Sequence, residues 1–354
     1  MNEGNQYTMR HRKKRVIASF LLLAILLMSG CSKGTSPVRS DKTETMILRL
    51  ATDLSEESPG YRQLEDFQKR LSSASGGRLQ VKLYPTEAWS EDDSLLSYLG
   101  LETLELVCVS TQRLAAEVSD FGIFDLPYLF SDRTQLAQYL TGAKGQEALA
   151  LTEPLGYQAL GFVGNGQQYF LQTRGPAMEM GWTGLTMAIE QRPLWLQSLA
   201  AVGIHTVDPS IAGTFYDARC VGEAEVKTLM TQQIVNEGTY LNEPDMFYNI
   251  EVVLGDGKWW DALAESDRTL ISDAFGQALA QNMQTMQSTG AIDVFSEGGV
   301  TVDAVSAEQK LTLYQQTAGV REQYFYSGAS ALAGQWVTLV PEETLPEENE
   351  DVQQ

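Results

Sequence analysis

The sequence predicts an α/β fold of two lobes joined by crossing strands, and three observations carry that expectation. Apolar runs of alternating, strand-like spacing are interleaved with segments of helical spacing from residue 45 onward. Gly and Pro punctuation is concentrated in residues 161–193, where strand-like runs follow one another at short intervals. That pattern suits a chain passing from one lobe to another. Roughly 300 residues remain once the leader is set aside, enough for two cores.

In order, residues 45–54 read as a first strand, and Ser58-Pro59 opens a helix along which Tyr61, Leu64, Phe67 and Leu71 recur at helical spacing. Gly76-Gly77 ends it. Leu79, Val81 and Leu83 alternate with Gln80, Lys82 and Tyr84 until Pro85 stops the strand. A helix over 93–101, capped by the solvated acids Glu91-Asp92-Asp93, leads to the apolar run 104–109. This β-α-β-α-β order opens a sheet with helices on its faces. Residues 121–130, broken by Pro127, read as a buried connection. A helix over 133–151, a strand over 159–163, a turn at 164–166 and a second run over 169–173 follow. One more strand lies beyond Trp182, then a helix over 194–202 that Gly203 stops, and a helix over 217–233 interrupted by Gly222. A strand at 248–254 returns to the first lobe, followed by a long helix from 265 to about 288 and a last helix over 305–326. The lobes are thus expected to be discontinuous: 45–164 with 245–290, and 165–244 with 291–330. Residues 331–354 form an acidic C-terminal tail, with 341–354 lacking any basic residue.

The first thirty residues read as an address. Arg10, Arg12, Lys13, Lys14 and Arg15 precede the apolar run 16–28, which is shorter than the roughly 20 residues of a spanning helix. Leu27–Cys31 (Leu-Met-Ser-Gly-Cys) resembles a bacterial lipobox, which would make Cys31 the lipidated first residue, with 31–44 as a polar tether. Residues 31–354 hold 45 acidic and 20 basic residues, a net charge of −25. That balance argues against nucleic acid or anionic lipid as partners of the folded part, leaving the lipid anchor as the membrane contact. Cys108 and Cys220 are far apart in sequence and read as packed, unpaired thiols.

Leu48–Asp53 with Ser58-Pro59, Gly77-Arg78-Leu79-Gln80-Val81 before Tyr84-Pro85, and above all Phe124-Asp125-Leu126-Pro127-Tyr128-Leu129-Phe130 resemble the DctP-type substrate-binding proteins of TRAP transporters. Residues 142–149, 160–162 and 258–263 continue the resemblance over roughly 47–324. It implies a two-lobed, periplasmic-binding-protein-like fold with crossing strands and a long interlobe helix. It also implies a small solute in the cleft, delivered to TRAP-type membrane permease subunits. The family's carboxylate clamp is an arginine that pairs bidentately with the ligand. The resemblance places Ala188 at that position, and Gln168 where a second family arginine stands.

Arg192, Arg174 and Arg219 stand as candidates to replace the missing charge, against the plainer reading of solvated surface arginines. Asn165, Gln168 and Tyr216 fall at family contact regions and offer hydrogen bonds to a neutral polar ligand. Tyr169, Trp182, Trp195 and Phe215 are cleft-lining candidates, against aromatic core packing. The expected ligand set is therefore Asn165, Gln168, Tyr169, Ala188, Arg192, Trp195 and Tyr216. With the clamp absent and the chain acidic, a neutral or cationic solute is expected over a carboxylate. His205 has no metal-ligating neighbours at coordinating spacing, so no metal site is expected. No nucleophile, metalloprotease or P-loop motif is present, and neither catalytic residue nor cofactor is expected. The reading that follows is a lipid-anchored extracytoplasmic solute receptor. The alternative is a binding-incompetent derivative of the same fold acting as a surface interaction or scaffolding lipoprotein.

Overall fold

The computed structural model describes residues 45–85, 95–101, 103–172, 182–211, 213–233, 235, 239–290, 295 and 300–336. The leader with Cys31, the tether, the acids at 91–93, Arg174 and the acidic segment beyond 336 lie outside the described residues.

The chain begins β1 (Met46–Thr52), α1 (Pro59–Ala74), β2 (Leu79–Tyr84), β3 (Leu106–Ser110), α2 (Thr111–Leu114), α3 (Arg133–Thr141), α4 (Ala143–Ala150) and β4 (Tyr157–Gln167). It enters a second sheet through β5 (Tyr169–Gln172), β6 (Thr186–Ala188), α5 (Pro193–Ala201), β7 (His205–Val207), β8 (Ala218–Val221), α6 (Glu223–Thr231) and β9 (Tyr240–Asn242). It then returns through β10 (Tyr248–Asp256), α7 (Gly257–Ala262) and α8 (Glu265–Ser288), and finishes with β11 (Thr301–Asp303), α9 (Ala307–Gln316) and α10 (Ala318–Tyr326). Among the described residues the strands form two sheets, ordered β2-β1-β3-β10-β4 and β11-β9-β5-β8-β6-β7. Each sheet is assembled from separated stretches of chain, the arrangement of a two-lobed α/β protein.

Local chemistry explains most elements. Ser58 Oγ accepts the Tyr61 N–H at 3.1 Å, capping α1, and Pro59 occupies its first turn, where no N–H is missed. Tyr61, Leu64, Phe67 and Leu71 turn one buried stripe of α1 onto the first sheet. There they meet Ile271, Phe275 and Ala278 of α8. Gly161 and Gly164 on β4 let α8 settle this close. A Cβ on Gly161 would lie 2.7 Å from the Phe275 ring, and one on Gly164 would lie 2.1 Å from the Met283 methyl. The opposite face of the sheet is covered by Phe124, Phe130, Tyr139 and Trp336.

Several boundaries differ from expectation. The turn expected at 164–166 is continuous strand, and Gly164 serves close packing against α8 rather than chain reversal. The helix expected over 133–151 breaks at Gly142, where a side chain would meet the Gln138 carbonyl at 2.4 Å. The first residues of the helix expected at 217–233 form β8, and Gly222 stands at the cap of α6 instead of interrupting a helix. The last helix divides at Thr317. Of the segment 93–101, the described part is a single 3-10 turn, Leu95–Tyr98. The tail expected from 331 does not begin there: Ala331–Gln335 is a 3-10 turn that buries Leu332 and Trp336 in the first lobe.

Gly161→Ala should therefore lower stability by about 1–3 kcal/mol through overpacking against Phe275. Urea denaturation measures it, and Phe275→Leu in the same chain should recover part of the loss. An unchanged midpoint would mean that α8 shifts freely on β4.

Candidate functional site

The lobes are linked where β4 runs into β5 and where residues 243–247 lead back into β10. The two crossings are tied together by the Gln168 N–H, which donates to the Phe247 carbonyl at 3.0 Å. Side chains alternate across the first crossing. Gln167 and Tyr169 line one side, a cavity of about 470 Å³ that also touches Arg62, Arg133, Lys227 and Asn282. Gln168 faces the other side, where its Nε2 donates to Asn249 Oδ1 at 3.0 Å and its Oε1 accepts the Cys220 thiol at 3.6 Å.

On the Gln168 side, the C-terminal ends of the parallel strands β1 and β3 look toward the second lobe. Strand ends of this kind are where α/β proteins bind ligands. Asp53 follows β1, and Arg113 sits in α2 directly after β3, with its Nε 3.4 Å from Asp53 Oδ2. Asp125 comes from the Phe-Asp-Leu-Pro segment. That segment is fixed by buried Phe124 and Leu126, by the Tyr128 N–H donating to the Met246 carbonyl at 2.9 Å, and by buried Arg321, whose Nη1 donates to the Pro127 carbonyl at 3.4 Å. From the second lobe, the segment after β6 brings Glu190 and Arg192. Arg192 Nη1 donates to Asp125 Oδ1 at 3.2 Å across the interlobe gap, and its Nε donates to Glu190 Oε2 at 3.0 Å. Its guanidinium lies 4.2 Å from the Trp195 ring centre. Trp195 in turn stacks on Phe247 with centroids 4.8 Å apart.

Only 8% of Arg192 is exposed. Burial works against its charge, but Glu190, Asp125 and Glu251 outweigh it and move its pKa upward. The acids move the other way from their usual charged state. Burial raises Asp125 against the pull of Arg192, and raises Asp53 against the pull of Arg113. Burial, with Asp53 adding repulsion, pushes Glu251 on β10 up to about 8. The Arg192 guanidinium, which holds its charge, thus meets carboxyl groups that give theirs up more readily.

The structure brings Gln168, Arg192 and Trp195 to this junction and separates the other candidates from it. Ala188 is buried at the end of β6, in register with Val207 and Arg219 on its two neighbours. Arg219 pairs with Glu225 at 2.5 Å and approaches the half-exposed Tyr216 ring at 5.8 Å. Asn165 caps the start of α1, its Oδ1 accepting the Gly60 N–H at 3.2 Å. Tyr169 packs edge-on against Phe295 at 5.4 Å. Trp182 is core, against Phe170, and Phe215 is exposed. Arg192 is thus a buried junction residue, not a solvated surface arginine. Asp53, Arg113, Asp125, Glu190 and Glu251 were missed by sequence reasoning. The readable signal was a single charge inside an apolar run, as in Tyr-Asn-Ile-Glu-Val-Val-Leu and Phe-Asp-Leu-Pro. Among the described residues no group of His, Cys, Asp and Glu is arranged to hold a metal ion. Cys108 and Cys220 are both free thiols.

A family model described as bacterial extracellular solute-binding protein, family 7 (DctP), matches residues 50–327. The chain is 22% identical over 267 residues to the C4-dicarboxylate-binding periplasmic protein DctP of Rhodobacter capsulatus, covering 73% of this chain and 80% of that one. Its fold is similar to a TRAP periplasmic solute-binding protein from Ochrobactrum anthropi, with a TM-score of 0.72 at 21% identity, covering 83% and 94% of the two chains. It is also similar to the sugar acid binding protein DctPAm from Advenella mimigardefordensis in complex with galactonate, with a TM-score of 0.67 at 21% identity, covering 82% and 99%. The acids bound by these relatives overturn the expectation that a neutral or cationic solute is favoured over a carboxylate. The physical reason is local. The net charge of −25 is spread over a surface where salt screens it within about 8 Å, so it does not set the charge at the lobe junction, where Arg113 and Arg192 stand. The family match over most of the chain, together with the two-sheet architecture, leads to one conclusion: the chain belongs to the bacterial extracellular solute-binding proteins of family 7, the DctP-type receptors of TRAP transport.

Proposed function

We propose that this protein is a lipid-anchored extracytoplasmic receptor that captures a small carboxylate-bearing solute between its lobes and delivers it to a TRAP-type permease. The observation that carries the solute class is Arg192. A guanidinium held at the lobe junction by Asp125, Glu190 and the Trp195 face is oriented before any ligand arrives. Its planar fork suits a carboxylate. Arg113 supplies a second positive charge from the other lobe, so a solute touching both would draw the lobes together. The relatives' dicarboxylates and sugar acids support this class. A junction that keeps two guanidiniums gives no support to the binding-incompetent alternative. The role is binding rather than catalysis.

The anchor rests on the lipobox resemblance at Cys31. No helix of the described residues is long and apolar enough to cross a membrane.

A thermal-shift screen followed by calorimetry against C4-dicarboxylates, hydroxy acids, sugar acids, neutral sugars and amines tests the solute class. An acid should raise the melting temperature and bind at one site. Arg192→Ala should weaken that binding about 10- to 100-fold, the scale of a lost charge-assisted hydrogen bond. Arg192→Lys should restore only part, because the charge returns without the fork. Binding confined to neutral or cationic solutes, or acid binding indifferent to Arg192→Ala, would refute the proposal. For the anchor, Cys31→Ala should move the protein from the membrane fraction to the soluble one or leave the leader uncleaved. Unchanged fractionation, with no lipid on the mature chain by mass spectrometry, would count against it.

A further inference from the structure

Glu251 lies in β10, in register with Ser110 of β3 on one side and Val163 of β4 on the other, so a strand flanks it on each edge. Apart from the Tyr248 hydroxyl, every other side chain from Tyr248 to Leu254 is apolar or an amide. Glu251 is 5% exposed, and its Oε2 has no hydrogen-bond partner among the described residues. The charged and titratable groups facing it are Asp53 beyond β1, Cys108 on β3, Arg113 on α2, and Glu190 and Arg192 from the second lobe. It therefore lies at the meeting point of both lobes, on the side where the solute site was placed above.

An ionised carboxylate with one oxygen unpartnered in the interior is strongly disfavoured, and such a group keeps its proton instead. The two nearby guanidiniums do not reverse this. Burial and Asp53 together push Glu251 to about 8, so it is largely neutral at pH 7. A neutral carboxyl group differs from a carboxylate, which only accepts: it carries an O–H and can donate.

Resting on the receptor reading above, we infer that Glu251 is a specificity-determining residue that donates its carboxyl proton in a hydrogen bond to the bound acid, so that solute capture depends on Glu251 being protonated. An anionic solute then accepts from Arg192 and from Glu251. Deprotonated Glu251 would instead set a second negative charge against it, with an oxygen already lacking a partner. When the solute binds protein whose Glu251 is ionised, one proton is taken up from solvent onto the Glu251 carboxylate for each solute bound.

Calorimetry of the tightest-binding acid of the panel, from pH 6 to 9.5 in two buffers of different ionisation enthalpy, tests this. Wild-type affinity should be flat below about pH 7 and fall toward tenfold per pH unit above about pH 8, with uptake approaching one proton per solute. Glu251→Gln, which keeps an N–H donor but cannot titrate, should bind with an affinity flat over the same interval. Glu251→Leu should bind weakly at every pH. The same fall in Glu251→Gln would assign the proton to Asp53 or Cys108 and overturn the inference, as would a pH-independent wild type.

Melting temperatures without solute keep failure of the inference apart from failure of the receptor reading. The folded-state pKa of Glu251 is raised above its unfolded value, so the folded protein holds the extra proton between roughly pH 5 and 8. Wild type should therefore lose stability relative to Glu251→Gln as pH rises through that window, and the difference should level off above it. A difference that does not move with pH overturns the inference whatever the panel shows. A moving difference with no acid bound at any pH overturns the donor role and places the failure in the solute class.

Discussion

The burial of one guanidinium sets the terms for the lobe junction. Arg192 cannot be taken from water alone, since an unpaired ion costs several kcal/mol even after relaxation. Its neighbourhood answers that cost in three ways. Asp125 arrives from the opposite lobe, Glu190 from the same segment, and the Trp195 face lies beneath. Because Asp125 belongs to the first lobe, the pairing works only when the lobes are near each other. The electrostatic satisfaction of one side chain is thus coupled to the relative position of the two sheets.

That coupling needs rigid frames on both sides. In the first lobe, α8 is seated on β4 through Gly161 and Gly164, and Arg321 ties α10 to the Pro127 carbonyl beside Asp125. In the second, Trp195 stacks on Phe247, whose carbonyl holds the Gln168 N–H of the other crossing. The crossings are therefore hydrogen-bonded to each other at the point where the lobes would pivot, and the charged residues stand just beyond it. Arg62 and Glu223, paired at 2.9 Å, join the lobes again from α1 to α6. This pair is half-exposed on the arginine side, so it contributes little to stability compared with the buried junction.

Much of this was legible in the sequence, and the failures have physical causes. Element type followed from spacing wherever an element was long, as in α1 and α8. Three-residue strands such as β7, β9 and β11 carry too few residues to show a period. The glycines of 161–166 looked like turn punctuation, but at Gly161 and Gly164 the lack of a side chain serves the approach of α8. At the site, the missing family arginine at Ala188 drew attention to the residue nearest in sequence, and Arg192 does reach the junction. Glu190 stands in the same segment, but the other charges around Arg192 could not be read there, because Asp53, Asp125 and Glu251 come from three other stretches of chain that only the fold assembles. The inference from net charge failed for a related reason. It averaged over a surface, while the lobe junction holds a few groups whose protonation the fold itself has shifted.

Whether an acid binds between the lobes at Arg192 is decided by a crystal structure of the protein grown with the acid that most raises its melting temperature. A carboxylate is expected within hydrogen-bond distance of the Arg192 guanidinium, with a second solute oxygen against Glu251 and the first lobe closed over it. A solute found instead in the cavity behind the crossing strands, against Gln167, Tyr169 and Arg133, with Arg192 still paired to Asp125 and Glu190 alone, would contradict it.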